Sequence, residues 1–244
     1  MDVVLEHYSG FKLCAESQMV ADALKMQGRS YMTAALSQLQ RDRVMTDSAP
    51  LVVGTLDFIK AALRQRGLTL PQENCYPTVL SHLLHRSLWE STLFEVIKEV
   101  VQERPLFAKP SKRTKRFSGM VVSDGFDWRL DRIPRHEPVW AGEVCEWLSE
   151  WRFYVVCHQI KGKALYAGSA DAGLDESVVR QAVDLLTAHP GTPTSYAIDF
   201  GVLANGKTAL VEMNEGFSIG AYPGVDPQVY LALLETRWAQ LTAV

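Results

Sequence analysis

The sequence lacks an excess of charge of either sign: 25 Lys and Arg stand against 28 Asp and Glu in 244 residues, a formal net charge of −3. A general nucleic-acid binder needs surplus Lys and Arg to displace counterions from phosphates, so that class is disfavoured. The K-x-D-G motif of ligases that adenylate a lysine is also absent. Cysteine is scarce, and Cys14, Cys75, Cys145 and Cys157 form no C-x-x-C pair. They read as reduced thiols of an intracellular protein, with neither a disulfide framework nor structural zinc. His82 and His85 have a metal-like spacing but bring no acidic or cysteine partners, so they read as ordinary histidines. No run approaches the ~20 apolar residues of a membrane span, and Met1–His7 is too short and too acidic for a signal peptide. The expected location is cytoplasmic, with no membrane partner. Internal repeats, low-complexity tracts and a G-x-G-x-x-G fingerprint are all missing.

What is present is an ordinary globular composition, 47% apolar and 22% charged, enough for one large domain or two small ones. The first hundred residues mix helical and short extended patterns. Lys12–Met26 predicts a helix stopped by Gly28, and Pro50–Gly54 a buried strand. A helix capped by Thr55 or Asp57 should then run through Arg66 to Gly67. Leu68–Pro77 reads as a connector, and Val79–Val101 as mostly helical, in two pieces broken near Ser91. From Pro105 the character becomes β-rich. Strands are expected at Leu106–Lys109, Phe117–Ser123, Val139–Val144 and Trp151–Ile160, with Lys163–Ala167 as a hairpin continuation. A long loop, Ser123–Pro138, separates the second and third. Asp175 should cap a helix through Ala188, strands should follow at Tyr196–Leu203 and Thr208–Met213, and Asp226–Leu241 should close the chain with Pro227 in its first turn.

Asn205-Gly206 lies between two alternating runs, the signal for a two-residue hairpin turn. With Ala204 facing Lys207, counting back sets Asp199 opposite Glu212, with Asn214 on the same face. The other face, Tyr196, Ile198, Phe200, Val202, Ala209, Val211 and Met213, reads as core. Like charges directly across a strand pair destabilise it. Two carboxylates and an amide oxygen on a face that also carries Ala197, Gly201, Leu203 and Leu210 therefore call for a cation. So few oxygen ligands favour Mg2+ completed by water and phosphate. The alternative is an exposed hairpin face that merely tolerates its charges.

Lys109 ends a strand, and Lys112, Arg113, Lys115 and Arg116 follow in a loop whose only apolar side chain is Pro110. Such a loop suits closure over a polyphosphate, although most charge runs are simply solvated. Further on, Arg152 shares a strand face with Tyr154. An arginine on a half-buried face needs an anionic partner, either a protein carboxylate or a ligand phosphate.

Taken in order, these fragments resemble the ATP-grasp superfamily. More narrowly they are similar to the clade named for one arginine and two lysines. The resemblance runs from about Pro50 to the C-terminus. It is carried by Phe107-Ala108-Lys109-Pro110, Lys115-Arg116-Phe117-Ser118-Gly119, Val139-Trp140 with Glu143, Ser149-Glu150-Trp151-Arg152, and Asp199-Phe200-Gly201 leading to Val211-Glu212-Met213-Asn214-Glu215-Gly216. It implies an α+β fold in which two subdomains clasp ATP (residues 105–244), preceded by a small α/β pre-grasp region (1–104). Lys109 would contact nucleotide phosphates, with Lys115 as the second lysine on the closing loop; Lys112 aligns there equally well. Glu143 would lie beside the adenine, with the backbone of Val144 and Cys145 bonding the base, and Glu150 at the ribose. Arg152 would serve the phosphate or acyl-phosphate, and Asp199, Glu212 and Asn214 would hold Mg2+. The implied activity is ADP-forming ligation of a carboxylate to an amine, on small-molecule or peptide substrates. A silent ATP-binding module acting through a protein partner is the alternative. A homodimer is compatible with the sequence. The loop Asn214–Gly220 should line the acceptor pocket, unless Phe217 and Ile219 serve the core.

Overall fold

The computed structural model of the protein describes residues 3–112 and 116–243. Its N-terminal layer is a three-stranded parallel sheet, order β2-β1-β3, from β1 (Val3–Glu6), β2 (Tyr31–Ala34) and β3 (Val52–Val53). Parallel strands need crossovers, supplied here by α1 (Ala15–Met26) between β1 and β2 and by α2 (Leu36–Gln40) between β2 and β3, with α3 (Leu56–Gln65) following the last strand. Thr55 is the cap of α3, its side chain accepting from Phe58 N, and α1 ends next to Gly28 at φ 67°. β1 and β2, four residues each, are strands that the sequence reading does not mark.

A second layer starts with β4 (Leu88–Thr92) and α4 (Leu93–Gln102), followed by β5 (Leu106–Pro110), β6 (Met120–Val122) and β7 (Pro138–Gly142). Their sheet has the antiparallel order β4-β7-β5-β6. The layer thus begins at Leu88, ahead of the boundary expected at residue 105. The two-piece helix expected over Val79–Val101 is corrected to a 3-10 turn at Thr78–Leu83, a strand and one helix. Leu88–Thr92 pairs with β7 along its whole length, and this cross-strand bonding overrides a pattern that fits a helix equally well.

The third layer holds β8 (Trp147–Val156), β9 (Gln159–Gly168), α5 (Glu176–Ala188), β10 (Tyr196–Leu203), β11 (Thr208–Glu215) and the closing α6 (Pro227–Thr242), with sheet order β11-β10-β8-β9. The strand expected to continue through Ile160 instead reverses at Cys157-His158, both at positive φ (49° and 60°). That is the backbone a two-residue hairpin turn demands, supplied here without the Asn or Gly that usually announces it. The strand expected over Phe117–Ser123 shortens to Met120–Val122, and Val139–Val144 stops at Gly142.

Each of the two later sheets is backed by one helix. Leu106, Ala108, Val122, Val139 and Ala141 pack with α4 residues Leu93, Val96 and Val100. Phe153, Val155, Tyr196, Ile198, Phe200 and Leu210 pack with Val179, Ala182, Val183 and Leu186 of α5. The opposite face of the third sheet is shared. Tyr154 and Ala197 join the core of α6 and the N-terminal layer, while Arg152, Asp199 and Glu212 line a cleft against the second sheet. Among the described residues, no helix is long and apolar enough to cross a membrane.

Candidate active site

Asp199 pairs with Glu212 in the β10–β11 ladder, as the sequence indicated, but by a different route. The turn has three residues: Gly206 N bonds Leu203 O at 2.8 Å, Leu203 N bonds Lys207 O at 2.9 Å, and Gly206 takes φ 80°. This is a turn one residue longer than expected, closed by a left-handed glycine, and alone it would displace the register by one. A β-bulge between Asp199 and Phe200 restores it: Phe200 pairs with Leu210, Asp199 with Glu212, and Val211 is the extra residue. Hence Leu210, expected on the polar face, lies in the core, and Val211, expected in the core, lines the cleft.

The cleft has a volume of about 710 Å³. Within it, Asp199 is buried and takes a two-pronged bond from Arg152, Nε to Oδ1 at 2.9 Å and Nη2 to Oδ2 at 2.7 Å. Glu212 forms an ion pair with Lys109, and its Oε1 accepts from Asn214 Nδ2 at 3.0 Å. The same Nδ2 lies 3.4 Å from Asp199 Oδ2. Two carboxylates and two cations therefore meet around one amide, with formal charges that cancel. Burial pushes the Asp199 carboxyl up to about 6 against the pull of Arg152. Burial also works to raise Glu212, but Lys109 and Asn214 outweigh it and the net shift is downward. For Lys109, burial favours the neutral amine, while Glu212 and then Cys75 and Tyr76 raise it overall. The Arg152–Asp199 pair is worth most through its completeness: breaking a buried ion pair from one side costs about 3–5 kcal/mol.

The remaining sequence candidates are distributed around this centre. Glu150 lines the cleft and accepts from Tyr166 OH at 3.0 Å; burial raises its carboxyl. Glu143, Val144 and Cys145 line the cleft just past the end of β7. The Glu143 carboxylate accepts from Ser87 N at 2.8 Å, and that bond holds it below the usual carboxylate range. Lys112 is exposed and lines a separate cavity of about 940 Å³ beside the start of α3, together with Lys60 and Arg116. Lys115 lies outside the described residues. In the loop Asn214–Gly220, Phe217 and Ile219 are core residues, while Gly220 O accepts from Arg152 Nη1 and Tyr154 OH, both at 3.3 Å.

Several cleft residues had no signal in the sequence. Tyr166 and Tyr222 stack at 4.8 Å, and the Arg152 guanidinium lies 4.8 Å from the Tyr222 ring centre. Cys75 Sγ accepts from Lys109 Nζ at 3.3 Å, and Tyr76, pushed up to about 12 by burial, sits under the same ammonium. Arg86 donates to backbone carbonyls of β11. These residues come from segments far apart in the chain, so no spacing could reveal them.

A divalent ion needs hard donors held close together. Among the described residues, no three His, Cys, Asp or Glu side chains gather in a metal-binding group. The polar ends of Asp199, Glu212 and Asn214 do converge: the two carboxylates are hard oxygen ligands of the kind Mg2+ takes when water and phosphate complete its shell, while Asn214 turns its Nδ2 toward them and would offer its oxygen to an ion once the amide turns over.

Comparison with known proteins agrees with this architecture. No curated protein sequence matches the chain. Three solved structures share its fold along nearly the whole length. The D-cycloserine synthetase DcsG aligns at a TM-score of 0.61 and 11% identity, covering 98% of this chain and 99% of that one. A RimK domain ATP-grasp protein from Sphaerobacter thermophilus DSM 20745 aligns at 0.56 and 14%, covering 97% and 99%. The macrocyclase MdnC, bound with precursor peptide MdnA, from Microcystis aeruginosa MRC aligns at 0.52 and 14%, covering 96% and 99%. The model of the ATP-grasp domain of the arginine-and-two-lysine clade, family 2, matches residues 83–233. With more than half of the chain matched and the α+β clasp in place, the protein belongs to the ATP-grasp superfamily, in family 2 of the clade named for one arginine and two lysines.

Proposed function

We propose that the protein is an ADP-forming ligase joining a carboxylate to an amine. The observation that carries this reading is the meeting of Asp199, Glu212, Asn214, Lys109 and Arg152 in one cleft between two helix-backed sheets. In the reaction, a carboxylate oxygen attacks the γ-phosphorus of ATP and the bond to the ADP oxygen breaks, giving an acyl-phosphate. The amine then attacks the acyl carbon, the carbon–oxygen bond to phosphate breaks, and the amine loses a proton. No nucleophilic Ser or Cys is needed. The protein's share is positioning and charge stabilisation.

In this reading Lys109 and Arg152 exchange their carboxylate partners for phosphate oxygens when nucleotide enters. Asp199, Glu212 and, once its amide turns over, the oxygen of Asn214 would hold Mg2+, which when bound would neutralise polyphosphate charge. Glu143, Val144 and Cys145 take the base end, Glu150 with Tyr166 the ribose, and the loop lysines Lys112 and Lys115 the outer phosphates. The N-terminal layer, ahead of the second layer, contributes to the substrate side.

The cavity beside α3, with Lys60 and Arg116, suits an anionic carboxylate substrate. A smaller pocket of about 260 Å³, lined by Tyr8, Glu16, Ser17 and Gly220, suits an amine. A side chain at Gly220 would place its Cβ 3.5 Å from Arg152 Nη1 and 4.0 Å from Glu16 Oε1. A longer side chain there would extend into the space between Arg152 and the small pocket. The fold's likeness to a peptide-bound macrocyclase and to a small-molecule synthetase supports substrates of either size.

The test is release of ADP and phosphate that requires Mg2+, a carboxylate and an amine together, in a screen of amino-acid and peptide pairs. ATP binding with no turnover across that screen would favour a silent nucleotide-binding module, a reading to which the complete pairing of both carboxylates by protein cations lends some support.

A further inference from the structure

The bulge at Val211 is what lets Glu212 face Asp199, and one side chain outside the ladder grips it. In a regular strand consecutive carbonyls point to opposite edges, so one guanidinium cannot reach two in a row. At the bulge they turn the same way. Arg86 Nη1 donates to Leu210 O at 2.6 Å and Nη2 to Val211 O at 2.9 Å. β11 is an edge strand, so no neighbouring strand supplies donors on that side. Arg86 is itself fixed: Nη1 also donates to Leu84 O at 3.1 Å, and the guanidinium lies 5.2 Å from the Trp147 ring centre.

We propose that Arg86 is a positioning residue for Glu212. By clamping both bulge carbonyls it holds the extra residue in place and keeps the Glu212 carboxylate in the cleft, opposite Asp199. Without the bulge, the pairing of Gly201 with Ala209 and Phe200 with Leu210 would continue to set Val211 opposite Asp199 and turn Glu212 toward the core. A carboxylate resists burial there, so the expected result of losing Arg86 is a loosened edge and a misplaced Glu212 rather than a stable new register. The proposal rests on the ligase reading in one respect, that Glu212 is a cation ligand.

The experiment measures ADP affinity by titration calorimetry, with and without Mg2+, in the wild type, Arg86→Met, Arg86→Lys and Glu212→Gln. Loss of a group that orients a metal ligand typically lowers metal affinity about tenfold or more. The Mg2+ enhancement of ADP binding, the ratio of the affinities with and without the ion, is therefore expected to fall about tenfold in Arg86→Met, approaching Glu212→Gln. Arg86→Lys, with one ammonium for two carbonyls, should fall between and keeps the test usable if the methionine variant fails to fold. Amide exchange in the absence of nucleotide should quicken at residues 211–213 and not across β8 and β10. A lower melting temperature with the full Mg2+ enhancement would make Arg86 merely structural and overturn the proposal. Equal loss of ADP affinity with and without Mg2+ would make it a nucleotide contact and also overturn it. No Mg2+ enhancement in the wild type would instead overturn the cation reading on which the proposal stands.

Discussion

Replacing Lys109 with methionine should strengthen the binding of Mg2+ alone while weakening the binding of nucleotide. In the nucleotide-free cleft Asp199 is neutralised by Arg152 and Glu212 by Lys109, so a bare divalent ion meets no net negative charge. Lys109→Met removes one positive charge and frees a Glu212 oxygen, leaving the cluster at −1. The Lys109 and Glu212 side chains are only 14% and 21% exposed, so screening is intermediate between water and the protein interior. For a doubly charged ion about 5 Å from an ammonium, at an effective dielectric of about 40, the repulsion is about 3 kcal/mol. Its removal corresponds to roughly two hundredfold in affinity, and at least about tenfold should survive the cost of stripping water from the ion. Isothermal titration of the nucleotide-free protein with MgCl2 measures the gain, and titration with ADP measures the accompanying loss. Unchanged or weaker Mg2+ binding in the variant would refute the argument that Lys109 competes with the cation for Glu212.

Arg152→Met should destabilise the fold by about 3–5 kcal/mol, since it strands the buried Asp199 carboxylate; urea denaturation reads this directly. Lys109→Met should cost less stability than Arg152→Met, because its partner retains the Asn214 bond and some water. Gly220→Val should raise the KM for the amine about tenfold with the KM for ATP unchanged, by filling the gap between Glu16 and Arg152; steady-state kinetics on a productive pair checks the split. Gly201→Ala should destabilise by about 1–3 kcal/mol, visible in thermal melts, because its Cβ would come within 2.5 Å of Ser149 O and the Trp147 ring.

The strands and helices with capping or turn residues were readable from the sequence: Thr55 before α3, Asp175 before α5 and Pro227 at the start of α6 each mark an element where it occurs. β4 was not, because a five-residue run with no clear alternation needs its partner, β7, to declare itself. The Asp199–Glu212 pairing was legible for a partly mistaken reason. A three-residue turn and a bulge each move the register by one, and their effects cancel. That cancellation carries a price in sequence reading: it puts Leu210 and Val211 on faces opposite to those their alternation implies. The anionic partner that Arg152 needed is a protein carboxylate, Asp199, which the hairpin spacing alone assigns to the cation. Arg86, Tyr166 and Tyr222 stayed hidden because what places them in the cleft is tertiary, with nothing in their local spacing to mark them.

The central claim, activation of a carboxylate by the γ-phosphate of ATP, is tested most directly by isotope transfer. A carboxylate substrate carrying 18O at both oxygens, incubated with ATP, Mg2+ and an amine that supports turnover, should yield ADP, an amide retaining one 18O, and inorganic phosphate carrying the other, as read by mass spectrometry. Release of AMP, or phosphate free of label alongside amide product, would contradict the account.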